Sequence, residues 1–171
     1  MNLDEIKRRW PDVSSEELFP LFPAIPVSDY PELKDYSRKE VYDGAMAPGG
    51  LFLASDMAKC MHLEKGMRVL DLGPGNGASS RFLARHYSVR VFMAELWIDP
   101  TKNWQRVEEA GLSDDVVPMK LDARSLPFAE GYFDAVFCLD AFAYFMTDDL
   151  YPAYLARFLR PGGRICIGGH C

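Results

Sequence analysis

Short apolar runs alternate with amphipathic stretches along the chain from Met67 onward. This alternation is typical of strand–helix–strand units that build a parallel sheet. The apolar runs predict strands at residues 67–72, 89–94, 116–121, 133–139 and 164–169, the last of them preceded by a Pro-Gly-Gly turn at 161–163. Residues with helical apolar spacing predict helices at 50–62, 77–87, 100–110 and 148–159. We therefore expect an α/β fold with a doubly wound, mostly parallel sheet.

Capping residues indicate where several helices begin. The pairs Ser14–Glu17 and Ser37–Glu40 have the spacing of a capping box, in which each residue bonds the other's backbone amide. Asp99 followed by Pro100 predicts the start of the helix at 100–110, because aspartate accepts at the cap and proline needs no donor there. Thr147 is predicted to start the last helix in the same way.

The first 47 residues differ from the rest of the chain, since they are rich in proline and aromatic residues. We divide the chain into an N-terminal helical and aromatic arm, residues 1–47, and a core, residues 48–171. Aromatic side chains on such a segment need an apolar surface to cover. The arm is therefore expected to fold across the ligand site as a lid.

The composition of the chain limits the kinds of molecule that the protein is expected to bind. A chain of 171 residues suits one domain, and its net charge of -6 opposes nucleic-acid binding, which rests on basic surface. Charges interrupt every apolar stretch before it reaches the length of a membrane span, and the charged N-terminus lacks the pattern of a secretory signal. Four scattered cysteines without a C-x-x-C pair suit reduced thiols and no metal site. We expect a cytoplasmic protein with a small-molecule partner.

The strongest local signal is a glycine loop between the first predicted strand and the helix at 77–87. The strand ends at Leu72, and the loop runs Gly73-Pro74-Gly75-Asn76-Gly77. Glycines let the backbone turn sharply and approach a ligand closely, and the amides that open the following helix attract negative groups. The loop therefore predicts a nucleotide site beyond the carboxyl ends of the strands.

Two kinds of nucleotide fit the glycine spacing. Gly73-x-Gly75-x-x-Ala78 satisfies a dinucleotide pattern, and Glu95 lies 22 residues beyond Gly73, as in many NAD sites. Asp71 distinguishes the two, since a dinucleotide site normally has an apolar residue at this position. The stretch DLGPGNG resembles motif I of the class I S-adenosylmethionine (SAM)-dependent methyltransferases.

The resemblance extends from about residue 37 to 169, and the stretches YSRKEVYDGAMAPGG and ELWIDPTKNWQRVEEAG are similar to an uncharacterised bacterial subgroup related to cyclopropane fatty acid synthases. It implies SAM as cofactor, with S-adenosylhomocysteine (SAH) as product. It also implies that Glu95 holds the ribose, that Asp122 and Ala123 meet the adenine, and that Leu139 and Asp140 line the methionine side. Trp97, just past Glu95, is expected to cover the adenine face, and Asp99 competes with Glu95 for the ribose but is better explained as a helix cap. The full cofactor-binding set that it implies is Asp71, Gly73, Pro74, Gly75, Asn76, Gly77, Glu95, Leu96, Trp97, Asp122, Ala123, Leu139 and Asp140.

The implied function is methyl transfer from SAM to a small-molecule or lipid-like acceptor. Asp140 and Tyr144 are the candidates for contact with the acceptor and for proton removal, with Tyr36 and Tyr42 as further candidate bases. Two alternatives stay open: a non-catalytic SAM-binding module and an NAD-dependent oxidoreductase. The family has seven strands, and this chain stops two residues after the fifth. Three interpretations stay open: the chain is a fragment, a second copy covers the fifth strand as a homodimer, or the chain is a degenerate form with weak activity.

Overall fold

The computed structural model describes residues 23–43 and 49–169 of the chain. Its sheet has five strands in the order β3-β2-β1-β4-β5, and every neighbouring pair is parallel. The strands are β1 Arg68–Leu72, β2 Arg90–Glu95, β3 Val116–Lys120, β4 Phe133–Leu139 and β5 Leu159–Gly168. The prediction of a doubly wound, parallel α/β sheet is confirmed.

Helices cover both faces of the sheet. They are α1 Arg38–Asp43, α2 Gly50–Lys59, α3 Ala78–Tyr87, α4 Pro100–Glu109 and α5 Tyr151–Ala156. Val69 of β1 packs in a core with α2, α3 and α4, and the next residue, Leu70, packs in a second core with α5. This division follows from the strand geometry, because successive side chains point to opposite faces. Among the described residues, no helix has the length and apolarity needed to cross a bilayer.

Two of the predicted caps are confirmed. The Glu40 carboxylate accepts from the Ser37 amide at 2.8 Å, and the Glu40 amide donates to the Ser37 hydroxyl at 3.2 Å. Asp99 Oδ1 accepts from the Thr101 amide at 2.8 Å at the start of α4. The predicted box at Ser14–Glu17 lies outside the described residues.

The start of α5 differs from the prediction. The helix begins at Tyr151 rather than at 148, so the predicted cap at Thr147 is wrong. Asp148 Oδ1 instead accepts from the Leu150 amide at 2.9 Å, which closes a separate turn ahead of the helix. Pro152 then occupies the first turn, where a missing donor costs nothing. The helix also ends at Ala156, before the predicted 159.

The last strand begins earlier than predicted, at Leu159 instead of 164. Leu159 pairs with Phe133 and Arg164 pairs with Ala135, so residues 160–163 bulge out of the ladder between two paired positions. The Pro-Gly-Gly turn at 161–163 is therefore a bulge within β5 and not a connection ahead of it. Helix α2 likewise ends at Lys59, short of the predicted 62, and the other strand bounds agree with the prediction to within one residue.

The described part of the N-terminal region is built into the core. Leu33 and Val41 are fully buried against the helices of the first core. The Tyr30 ring lies 4.8 Å from the Phe52 ring of α2. The predicted domain boundary at residue 47 falls in the segment 44–48, outside the described residues, and it stays a prediction.

The cysteines of the described residues are free thiols. Cys60 is exposed, Cys166 is half-buried and Cys138 of β4 is buried. Burial raises the pKa of the Cys138 thiol to about 12. Cys138 therefore stays protonated at neutral pH and acts as an apolar packing residue.

Candidate functional site

A cavity of about 930 Å³ opens at the carboxyl ends of β1 and β4. The order of the sheet reverses between these two strands, which is where open α/β sheets bind ligands. Its lining comes from residues 73–75, 79, 94–98, 121–124, 139–146 and 167–169. A cavity of this volume can hold a small molecule of the size of a cofactor.

The glycine loop forms the floor of this cavity. Gly73, Gly75 and Gly77 all have positive φ, at 65°, 57° and 77°. A Cβ on Gly73 would lie 2.5 Å from Ala141 Cβ, so the loop touches the turn that follows β4. A Cβ on Gly77 would lie 2.8 Å from Met93 Cε. Gly73 is required both for the backbone conformation and for close packing, and Gly77 is required for the backbone conformation.

Glu95, at the end of β2, holds the loop from one side. Its Oε2 accepts from the Gly75 amide at 2.9 Å, and its Oε1 accepts from the Trp97 amide at 2.6 Å and from the Ile98 amide at 3.3 Å. The residue is buried, yet it lines the cavity. Because a carboxylate has about four acceptor sites, these three bonds leave capacity for a ligand hydroxyl.

Asn103 of α4 holds the loop from the other side. Its Nδ2 donates to the Gly75 carbonyl at 3.0 Å, while its Oδ1 accepts from Arg106 Nη1 at 2.9 Å. The backbone of Gly75 is thus fixed at both its N–H and its C=O. Sequence reasoning missed Asn103, although it occupies the buried face of α4 four residues before Val107. A polar residue on that apolar stripe is the signal that could have identified it.

Replacing Asn103 with leucine is expected to lower the free energy of unfolding by about 1–3 kcal/mol, because the Gly75 carbonyl and the Arg106 guanidinium each lose a buried partner. Denaturant unfolding measures this change. Gln105→Leu is the matched control, since Gln105 lies exposed on the same helix. Equal stability of the two variants would contradict the role assigned to Asn103.

Asp71 lies behind the glycine loop, fully buried, and does not line the cavity. Its Oδ2 accepts from the hydroxyls of Ser79 and Ser80, each at 2.7 Å, while Oδ1 has no partner among the described residues. Burial raises the pKa of Asp71 to about 6, with a smaller contribution from the charge of Glu95, and the two hydroxyls oppose the rise. Asp71 thus joins β1 to the first turn of α3 beneath the loop.

The segment after β3, residues 121–124, forms one wall of the cavity. Asp122 makes a paired contact with Arg124, whose Nη2 lies 2.6 Å from Oδ2 and whose Nε lies 3.0 Å from Oδ1. The Arg124 bonds lower the pKa of Asp122 to about 2. The next residue, Ala123, is fixed by its carbonyl, which accepts from the Tyr151 hydroxyl at 2.8 Å.

The turn after β4 forms another wall of the cavity. Asp140 has a positive φ of 54°, and its amide donates to the Gly168 carbonyl of β5 at 2.8 Å. A short 3-10 helix, Phe142–Phe145, follows and packs Phe145 against Tyr151. Tyr144 instead points outward and meets Trp97 edge to face, with ring centroids 5.7 Å apart.

Most of the implied cofactor-binding residues therefore line one cavity. Those that do are Gly73, Pro74, Gly75, Glu95, Leu96, Trp97, Asp122, Ala123, Leu139 and Asp140, together with Tyr144. Asp71, Asn76 and Gly77 do not line the cavity. Asn76 Oδ1 accepts from the Ala78 amide at 3.2 Å. Tyr36 packs against Phe82 and Tyr42 against Phe52, and neither lines the cavity.

A parallel sheet in this order, with a glycine loop after β1 and an acid at the end of β2, is the fold of the class I SAM-dependent methyltransferases. Comparison with known families places a methyltransferase domain over residues 70–167. The chain belongs to this methyltransferase domain family.

Three similar proteins illustrate the relationship. The methyltransferase GfsG of Streptomyces halstedii is 30% identical over 123 residues, which are 71% of this chain and 44% of that protein. The 2-methyl-6-phytyl-1,4-hydroquinone methyltransferase of Synechocystis is 31% identical over 142 residues, 81% of this chain and 41% of that protein. The crystal structure of the [4+2]-cyclase SpnF matches with a TM-score of 0.61 and 27% identity, over 66% of this chain and 42% of that one. The chain thus spans less than half the length of these relatives.

Proposed function

We propose that this chain is a methyltransferase domain that binds SAM in the cavity between β1 and β4 and moves its methyl group to a small-molecule or lipid-like acceptor. The observation that carries the proposal is the backbone of Gly75, whose N–H is held by Glu95 and whose C=O is held by Asn103, at the floor of a cavity that also reaches Asp122 and Asp140. Membership of the methyltransferase domain family supports it.

The residues present fit SAM. Gly73 and Gly75 form a cradle with positive φ, and a side chain at Gly73 would collide with Ala141. Glu95 has acceptor capacity for the ribose hydroxyls, and Asp122 and Ala123, which line the same cavity, are the residues that would meet the adenine. The three residues that do not line the cavity, Asp71, Asn76 and Gly77, would act on the cofactor through the shape of the loop.

SAM supplies a sulfonium-activated methyl group when it is bound. The protein has then to align the acceptor with that methyl group and to exclude water. The aromatic turn Phe142–Phe145 lies against the glycine loop and provides an apolar wall for this purpose. Asp140 and Tyr144 line the same side and are the proposed groups for orienting the acceptor and receiving its proton.

Transfer of a labelled methyl group from SAM tests this proposal. The full chain is expected to label at least one member of a panel of phenols, amines and prenylated quinols. Glu95→Ala should lose most of that labelling, and the surface variant Glu108→Ala should retain it. SAH binding without transfer to any acceptor would contradict the enzymatic proposal.

That outcome would favour a second candidate, a SAM-binding domain that does not transfer methyl groups. The likeness to SpnF supports keeping it, since that protein is named as a [4+2]-cyclase, for a reaction other than methyl transfer. An NAD-dependent oxidoreductase is disfavoured, because Asp71 stands at a position that is apolar in dinucleotide sites.

The proposal also covers where the domain is located in the cell and what it associates with. We place it in the cytoplasm, without a nucleic-acid partner, in keeping with its net charge of -6. The described part of the predicted arm, residues 23–43, packs against the first core and does not line the cavity, so the lid role of residues 1–47 stays a prediction. Among the described residues β5 pairs on one side alone, with β4, and a homodimer through its other edge is proposed.

A further inference from the structure

Three arginines lie next to the glycine loop but outside the cavity. Arg81 and Arg85 are one turn apart on α3, so their side chains share a face of that helix. Arg106 belongs to α4, which packs in the same core as α3. None of the three lines the cavity. They form a positively charged group that is separate from the residues proposed for the cofactor, and we call it the arginine cluster.

Hydrogen bonds direct two of these arginines to consecutive residues of the loop. Arg81 Nη1 donates to the Asn76 carbonyl at 2.7 Å. Arg106 Nη1 donates to Asn103 Oδ1 at 2.9 Å, and Asn103 holds the carbonyl of Gly75. The loop thus brings guanidiniums from two helices close together. Burial lowers the pKa of Arg81, and the neighbouring charge of Arg106 lowers it further.

No carboxylate in the described part of the chain forms an ion pair with the arginine cluster. The arginines that do form ion pairs there are Arg68, Arg124, Arg157 and Arg160. The charge of Glu40 acts on Arg81, but the Glu40 carboxylate is bonded to the amide and the hydroxyl of Ser37. Arg81 and Arg106 are half-buried, so their mutual repulsion is only partly screened by water. A bound anion would relieve it.

Tyr36 places an unused hydroxyl at the same cluster. Arg85 Cζ lies 5.4 Å from the centre of the Tyr36 ring. The hydroxyl is buried and has no hydrogen-bond partner among residues 23–43 and 49–169. Burial raises the pKa of Tyr36, while the positive charges of Arg85 and Arg81 oppose that rise, so the hydroxyl lies near both guanidiniums. An anion oxygen would give this O–H the acceptor that a buried donor needs.

We propose that the arginine cluster and the Tyr36 hydroxyl form a second binding site, for a doubly charged tetrahedral oxyanion of the phosphate class. The guanidiniums supply N–H donors in fixed forks that match phosphate oxygens, and Tyr36 supplies a further donor. Free phosphate and the phosphate monoester of a small molecule share this chemistry. The site does not require SAM in the cavity, so the inference is independent of the proposed function.

Calorimetric titration of the full chain with sodium phosphate at pH 7.5 and constant ionic strength tests the site. We expect saturable binding that sodium chloride does not reproduce. Arg85→Gln should weaken phosphate binding about tenfold, since it removes one cation of the cluster. Arg90→Gln is the matched control, because Arg90 is also exposed and lies at the amino end of β2, away from the loop. Equal phosphate affinities in these two variants would overturn the inference.

Tyr36→Phe removes the hydroxyl alone and should weaken phosphate binding about threefold. Arg81→Gln should weaken it at least about tenfold, and Arg81→Lys should restore part of the loss because it keeps the charge without the fork. Denaturant unfolding establishes that each variant is folded. Phosphate affinity that none of these substitutions changes would contradict the site.

Two further titrations define the ligand and its location. Phenyl phosphate should bind more tightly than inorganic phosphate if the natural ligand is a monoester, and no more tightly if it is free phosphate; binding of neither would overturn the inference. Saturating SAH should leave phosphate binding in place, because the arginine cluster does not line the cavity. Loss of phosphate binding in the presence of SAH would place the anion in the cavity and overturn the inference. A failure of SAH to bind would contradict only the proposed function.

Discussion

Replacing Glu95 with alanine is expected to weaken SAM binding by about 1–3 kcal/mol, which is about 5- to 150-fold in affinity. The variant loses the acceptor proposed for the ribose hydroxyls. It also removes the partner of the Gly75 and Trp97 amides, so the loop is no longer fixed in the shape that the ligand needs. Calorimetric titration with SAM measures the effect.

Two comparisons make this result specific. Glu108→Ala, an exposed position on α4, should bind SAM as the natural chain does. Glu95→Gln should fall between the two, because its amide group has one acceptor oxygen for bonds that now use both carboxylate oxygens. Unchanged affinity in Glu95→Ala would contradict the role assigned to Glu95, because the other acid nearby, Asp99, caps α4 and does not line the cavity.

Asp71→Asn is expected to raise the free energy of unfolding at pH 7.5 by up to about 3 kcal/mol. In the folded chain the pKa of Asp71 is about 6, above its ordinary value of 3.8, mainly because the carboxyl group is fully buried. The folded state therefore holds this proton more tightly than the unfolded state does. Stability falls as the pH rises from about 4 to 6, and the loss is complete above pH 6.

Denaturant unfolding of both chains at several pH values measures this dependence. The stability difference between Asp71→Asn and the natural chain should be small at pH 4 and should grow up to about pH 6. Asp114→Asn serves as the control, since it makes the same change at an exposed position. A difference that is the same at pH 4 and pH 7.5 would contradict the assignment to Asp71.

The parallel sheet and the glycine loop could be predicted because their signals are local. Short apolar runs define β1 to β4 almost to the residue, and the glycine spacing after Leu72 requires a turn that few other sequences adopt. Asp99 caps α4 by accepting from the Thr101 amide only two residues away, so this cap could also be predicted from the local sequence. The position of Glu95 follows from the end of β2, although its bond to Gly75 does not.

Features that depend on distant contacts could not be predicted. The residues at 161–163 have the local pattern of a turn, and the sequence therefore predicted a connection there. In the structure β5 pairs with β4 on both sides of residues 160–163, which form a bulge within the strand. Asn103 acts on Gly75 from 28 positions away, and the Trp97–Tyr144 contact joins two loops that meet across β1. The donors to Asp71 are the hydroxyls of Ser79 and Ser80 in the next helix, and these bonds do not follow from the pattern of the strand that carries Asp71.

The cavity between β1 and β4 is proposed to bind an adenosyl cofactor on the Gly73–Gly77 loop. Calorimetric titration of the full chain with SAH and, separately, with NAD is the decisive measurement. We expect saturable binding of SAH, weakened in Glu95→Ala, and no binding of NAD. Binding of NAD without SAH, or SAH binding that Glu95→Ala leaves unchanged, would contradict it.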